Sequence, residues 1–204
     1  MRFFTIITLS LLAITLVAPL LWGCSTTTAP RPGSASSPYA TPSAESRSPL
    51  EAERLTLKAA GYIGHDDDRA EQLLREALAH DLYHGPAHCN LGVVFLNQGK
   101  LYEAANEFEW ARKLMPGHPD PRMNLALTLE RAGRYNDALA TYTTALEVYP
   151  GHLPSMQAIT RLQIRTGRTD SRTGEYLKNI ALRGESEEWR DWARFQLTRS
   201  HGPR

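Results

Sequence analysis

Three histidines, His84, His118 and His152, recur at intervals of 34 residues, and the last two end identical tripeptides, Pro116-Gly117-His118 and Pro150-Gly151-His152. Imidazole is the commonest metal ligand among side chains, so metal binding is the first chemistry to test. A second set, His80, His84 and His88, is spaced by four, which on one continuous helix would align three ligands on a face. Gly85-Pro86 interrupts that helix, because proline removes a backbone donor and clashes with the preceding turn. Convergence therefore does not follow from the spacing. Asp66-Asp67-Asp68 offers oxygens suited to calcium, but the further ligands of an EF-hand loop are missing and the run stands where a helix begins, a place acids favour anyway. Cys89 is either a reactive thiol or a small apolar residue. No nucleophile with a base and no paired acids stand out, so the residues predict no catalytic site, no metal and no cofactor. A metal-binding or catalytic protein built on the His and Asp clusters is the competing class.

The 34-residue interval extends well beyond histidine. Leu91-Gly92, Phe95, Gly99, Ala104, Phe108, Ala111 and Pro116 are followed 34 residues later by Leu125-Ala126, Leu129, Gly133, Ala138, Tyr142, Ala145 and Pro150. Small residues at Gly92 and Ala126 let two antiparallel helices approach, with Ala104 and Ala138 facing them and the large apolar side chains filling the remaining space. Gly99 and Gly133 suit the left-handed residue that ends a helix, and Pro116 and Pro150 stop the next one.

This pattern resembles the tetratricopeptide repeat, a 34-residue helix-turn-helix unit. The resemblance implies an all-α fold, a right-handed superhelical solenoid of antiparallel helix pairs. Residues 50–184 then hold clear units at 85–118 and 119–152, a unit at 51–84 whose first half has slipped because its turn is one residue too long, and a degenerate unit at 153–184. Residues 185–204 form a capping helix and tail. In the cap, Trp189, Trp192 and Phe195 cover the hydrophobic end that any solenoid leaves open, with an aromatic binding site as the alternative.

Members of this family bind partners in the groove lined by the first helix of each unit. Carried over position by position, the groove residues are Cys89, Val93, Leu96, Asn97, Met123, Leu127, Arg131, Arg161 and Arg165. Chaperone-binding members clamp a terminal carboxylate with polar side chains where this chain has Val93 and Leu127. The groove is thus expected to take an amphipathic helix or an extended apolar segment, with the arginines meeting acidic flanks.

The first 23 residues contain one base, Arg2, and no acid, followed by an apolar run from Phe3 to Val17. This reads as a secretory signal. It ends in Leu21-Trp22-Gly23-Cys24, which resembles the lipobox of bacterial lipoproteins, although Trp22 replaces a residue that is usually small. The resemblance implies lipidation of Cys24, with palmitate among its acyl chains, in the bacterial cell envelope, and Ser25 points to the outer membrane facing the periplasm. An uncleaved membrane anchor is the alternative, since about 20 apolar residues can span a bilayer. Residues 24–49 are rich in Ser, Thr and Pro and predict a disordered tether of about 25 to 30 Å as a coil.

The chain has 23 basic and 22 acidic residues, and loss of Arg2 with the signal equalises them, so no net field draws nucleic acid. The distribution is uneven, with 10 bases and 15 acids in residues 51–152 against 10 bases and 6 acids in residues 153–204. The expected function is a membrane-anchored adaptor for a protein or peptide partner, serving assembly of a pilus, secretin or other envelope complex, or docking murein hydrolases; homo-oligomerisation is left open. Metabolic labelling with palmitate checks the anchor: the wild-type chain is expected to incorporate label and Cys24→Ala to lose it.

Overall fold

The computed structural model describes residues 48–200. The signal segment, Cys24 and most of the tether lie outside the described residues, as do residues 201–204. Among the described residues every regular element is a helix: α1 (Pro49–Ala60), α2 (Asp67–His80), α3 (Gly85–Asn97), α4 (Leu101–Leu114), α5 (Asp120–Arg131), α6 (Tyr135–Val148), α7 (Leu153–Thr166), α8 (Thr173–Arg183) and α9 (Glu187–Ser200). None of them is long and apolar enough to cross a membrane.

Helices pack in chain order. Each odd-numbered helix up to α7 pairs with the even-numbered one after it, and α1, α3, α5 and α7 also adjoin one another in sequence. This is the solenoid of antiparallel helix pairs that the 34-residue interval predicts.

Local signals account for the boundaries. The Ser48 side chain accepts from the Glu51 amide at 3.3 Å, and Asp66 does the same for Arg69 at 3.0 Å, each capping donors that a first turn leaves unpaired. Pro86 and Pro154 sit in the first turns of α3 and α7, where no backbone donor is needed. Gly99 and Gly133 hold φ of 75° and 76° in the turns between paired helices, a conformation glycine adopts without penalty.

Helices α3 and α4 approach closely at Gly92. A methyl group built there would lie 2.6 Å from Phe108 Cε1, so the absent side chain is what lets α3 and α4 meet over a fully buried phenyl ring. Tyr142 fills the equivalent space against Ala126 in the next pair.

Burial shows where the outer units leave the 34-residue register. In α3 the buried positions include His88, Leu91, Gly92 and Phe95; in α1 the same spacing is carried by Ala52, Leu55, Thr56 and Ala59. Thr56 stands in the small-residue position and donates its hydroxyl to Ala52 O at 2.7 Å. Position one of the first unit is therefore Pro49, and the turn to α2 holds two extra residues where one is expected. In α8, Thr173, Tyr176, Leu177 and Ile180 repeat the spacing of Ala104, Glu107, Phe108 and Ala111 in α4. Leu177, not Tyr176, thus faces the Phe108 position, because the turn after α7 has one extra residue. Arg172 stands at the N-cap of α8, so it does not occupy the alanine position that the register expects of it.

Helix α9 begins 34 residues after α7. Ala193 is buried at the position of Leu91, and Trp189, Trp192 and Leu197 pack on the second core cluster. Helix α9 therefore has the phase of a first helix, and it packs on α8.

One buried polar pair stiffens the second unit. His88 Nδ1 lies 2.7 Å from Glu107 Oε2 and its Nε2 lies 2.9 Å from Leu82 O, with Trp110 stacked on the ring at 5.8 Å. Leu82 O can only accept, so Nε2 donates and the Nδ1 contact holds the proton that imidazole and carboxylate share. Removing either partner would take a charge-assisted contact out of the core.

Gly92→Ala is expected to destabilise the domain by about 1 to 2 kcal/mol, because overpacking against Phe108 outweighs the gain in helix propensity. The midpoint of urea unfolding measures it.

Candidate partner-binding groove

Counting each unit from its first residue, the groove position filled by Val93 in α3 is filled by Leu57 in α1, Leu127 in α5, Arg161 in α7 and Phe195 in α9. Leu57 is 66% exposed and Phe195 57%, while Val93 and Leu127 are half-buried beside the core. Leu50, at the second position of α1, is 82% exposed. An apolar line therefore crosses successive first helices, interrupted by Arg161.

Leu50, Leu57 and Phe195 are absent from the set expected from sequence. The two-residue slip concealed the first two, and treating α9 as a cap concealed the third. Their large apolar side chains in otherwise polar stretches were the available signal.

The expected groove residues have varied surroundings. Cys89 and Met123 are half-buried, and Asn97 is exposed, with its amide 3.5 Å from Asp67 Oδ1. Leu96 is buried to 4% exposure and belongs to the core, so it offers a partner little surface. Burial pushes the Cys89 thiol up to about 11, which Asn124 at 3.8 Å only partly opposes, so the sulfur is a thiol at neutral pH.

The arginines tie units together. Arg131 donates to Leu96 O at 3.0 Å, and Arg165 to Glu130 Oε1 at 2.9 Å, with Arg161 3.8 Å from the same oxygen. Tyr142 donates to Glu130 Oε2 at 3.1 Å, and burial, then the Glu130 charge, pushes its phenol above the ordinary range. Glu130 is thus a buried carboxylate held by three side chains, with two cations against one anion. Each arginine is exposed and retains N–H groups that face solvent.

His84 and His152 also stand beside acids of the preceding first helix, His84 without hydrogen-bond geometry at its Nε2. His84 Nε2 lies 3.2 Å from Glu53 Oε2, on the preceding first helix. The 34-residue interval predicts that His118 and His152 stand apart, yet both reach one carboxylate: His118 Nδ1 is 3.5 Å from Asp120 Oδ2 and His152 Nε2 is 3.1 Å from Asp120 Oδ1. Ser155 bonds the other His152 nitrogen at 2.7 Å. Among the described residues no three His, Cys, Asp or Glu side chains form a group that could hold a metal ion. The aspartates at 66–68 serve the turn and its neighbour: Asp66 caps α2, Asp67 accepts from the Gly64 amide at 2.8 Å, and Asp68 lies 3.5 Å from the Gln98 amide nitrogen.

The sequence profile of the tetratricopeptide repeat family matches residues 89–152. Residues 89–152 are thus similar to tetratricopeptide repeats. Mouse tetratricopeptide repeat protein 8 is 26% identical over 98 residues, which are 48% of this chain and 19% of that protein, so the match spans about a fifth of the relative's length. Among solved structures, the first tetratricopeptide domain of Spaghetti (RPAP3) bound to the HSP90 peptide SRMEEVD superposes with a TM-score of 0.56 at 15% identity, covering 60% of this chain and 98% of that one. MamA gives 0.55 at 17% identity over 74% of this chain and 82% of its own. The Sgt2 domain from Aspergillus fumigatus gives 0.54 at 16%, over 64% and 85%. At these identities the structural likeness is one of fold. The shared fold is the solenoid of antiparallel helix pairs.

Burial lowers the His152 imidazole below its ordinary range, outweighing the opposing Asp120 charge, and His118 adds to the lowering. The folded domain therefore favours neutral His152, while the unfolded chain binds a proton more readily. Stability from this group is complete above the unfolded value of about 6.5 and is lost as pH falls through the folded value. His152→Gln is expected to lose less stability than wild type between about pH 7 and about pH 5, measured by urea unfolding at each pH.

Proposed function

We propose that this protein is a lipid-tethered adaptor of the bacterial envelope whose groove holds an amphipathic helix or an extended apolar segment of a partner protein. The observation that carries this reading is the apolar line through Leu57, Val93 and Leu127, with Leu50 beside it. Large apolar side chains exposed in sequence across neighbouring helices mark an interaction surface.

The Spaghetti domain holds a peptide whose last residues include two glutamates and an aspartate. Here Val93 and Leu127 stand where a polar clamp would be needed, and Arg131 and Arg165 already bond within the domain. An apolar ligand face is the better complement.

The lipobox resemblance of Leu21-Trp22-Gly23-Cys24 and the Ser/Thr/Pro-rich segment after it support a membrane tether. Such an arrangement suits a protein that assists assembly of a pilus, secretin or comparable envelope complex, since a domain on a long leash can receive a subunit away from the bilayer.

Leu50→Glu with Leu57→Glu tests the groove without disturbing the core, because both side chains are largely exposed. After crosslinking in cells, the wild-type chain is expected to co-purify with one predominant envelope protein and the double variant to recover about tenfold less of it. Equal recovery with an unchanged helical circular dichroism spectrum sinks the groove reading.

A further inference from the structure

Where α9 meets α7, Arg161, Glu188, Trp189 and Trp192 line a cleft of about 450 Å³. That volume lies in the lower half of the range for small-molecule sites, roughly 300 to 1,000 Å³. The two indoles meet edge to face, with centroids 5.3 Å apart and planes at 87°. Both are half-buried: they pack on the core and leave surface to the cleft. Arg161 occupies the groove position that Val93 and Leu127 fill in earlier units, so the cleft lies at the C-terminal end of the same row of positions.

Of its polar groups, Arg161 is engaged by Glu130. Glu188 is exposed and has no ion pair or hydrogen bond among the described residues, while the neighbouring acids Glu187 and Asp191 are both engaged by Arg194. Neither indole N–H has a hydrogen-bond partner there. Arg161 shares Glu130 with Arg165, so the cation is only partly neutralised.

We infer that this cleft seats the side chain of a tyrosine or tryptophan from the partner segment, as the anchor at the C-terminal end of the groove. The assignment rests on the groove reading for its partner and on the cleft alone for its chemistry. An aromatic ring uses all four residues: the indoles give edge and face contacts, the Arg161 guanidinium attracts the π face, and Glu188 accepts from the phenol O–H or indole N–H. A lysine would meet the Arg161 charge, and an aliphatic side chain would leave Glu188 without a partner.

N-acetyl-L-tyrosinamide serves as the probe, titrated into the purified protein while indole N–H resonances are followed by NMR. Trp189 and Trp192 are expected to shift together and Trp110 to stay in place. N-acetyl-L-phenylalaninamide, which lacks the donor, should bind about threefold to tenfold more weakly, and Glu188→Ala should erase that difference while ring binding persists. Leu50→Glu with Leu57→Glu should leave probe binding unchanged even where it abolishes partner recovery, which separates this inference from the groove reading. The inference is overturned by equal shifts at Trp110, by equal binding of the tyrosine and phenylalanine probes, or by tighter binding of N-acetyl-L-lysine methylamide or phosphocholine. Indole shifts that grow with protein concentration in the absence of a probe would give the cleft to a second copy of the chain and overturn it as well.

Discussion

The contact between Gly92 and Phe108 sets the spacing on which the other units depend. A phenyl ring lies against a backbone with no side chain, so two helices share space that either would otherwise fill alone. Ala126 with Tyr142 repeats that arrangement in the next unit, and buried Thr56 holds the small-residue position in the first. Because each unit is thin, its core is finished only by the next unit, and stability passes from neighbour to neighbour along the array.

Polar ties follow the same path. Arg131 to Leu96 O and Arg165 to Glu130 join first helices of adjacent units, and His84 and His152, at the N-caps of α3 and α7, approach Glu53 and Asp120 on the first helix before. They lie on or beside the first helices, where Val93 and Leu127 are only half-buried. The side chains that give the groove its basic character are the ones that hold its floor together.

Much of the fold was legible because helix pairing demands small and large residues at fixed intervals, and Leu91 to Pro116 repeats as Leu125 to Pro150. Turn length escaped that reading. A turn of six residues can close the same helix pair as a turn of three, so the interval shifts while the packing does not, and α1 and α8 were placed out of phase. That shift hid Leu50 and Leu57. The arginines and histidines were legible as residues of the groove and the turns, but their partners lie a repeat away, and periodicity does not encode which side chains meet across it. Leu96 shows the same limit in reverse: its position is a groove position, while its neighbours bury it.

The last helix carries a message about growth. On the side of α9 that would meet a following second helix, Arg194 stands at the small-residue position, held by Glu187 and Asp191, and Arg190 joins Glu187 beside it. A further helix packed there would have to bury those charges. Lengthening this array by duplication is therefore less costly in its interior than after α9. Copies of the units between Gly85 and His152 would each bring their own small residue, proline stop and histidine.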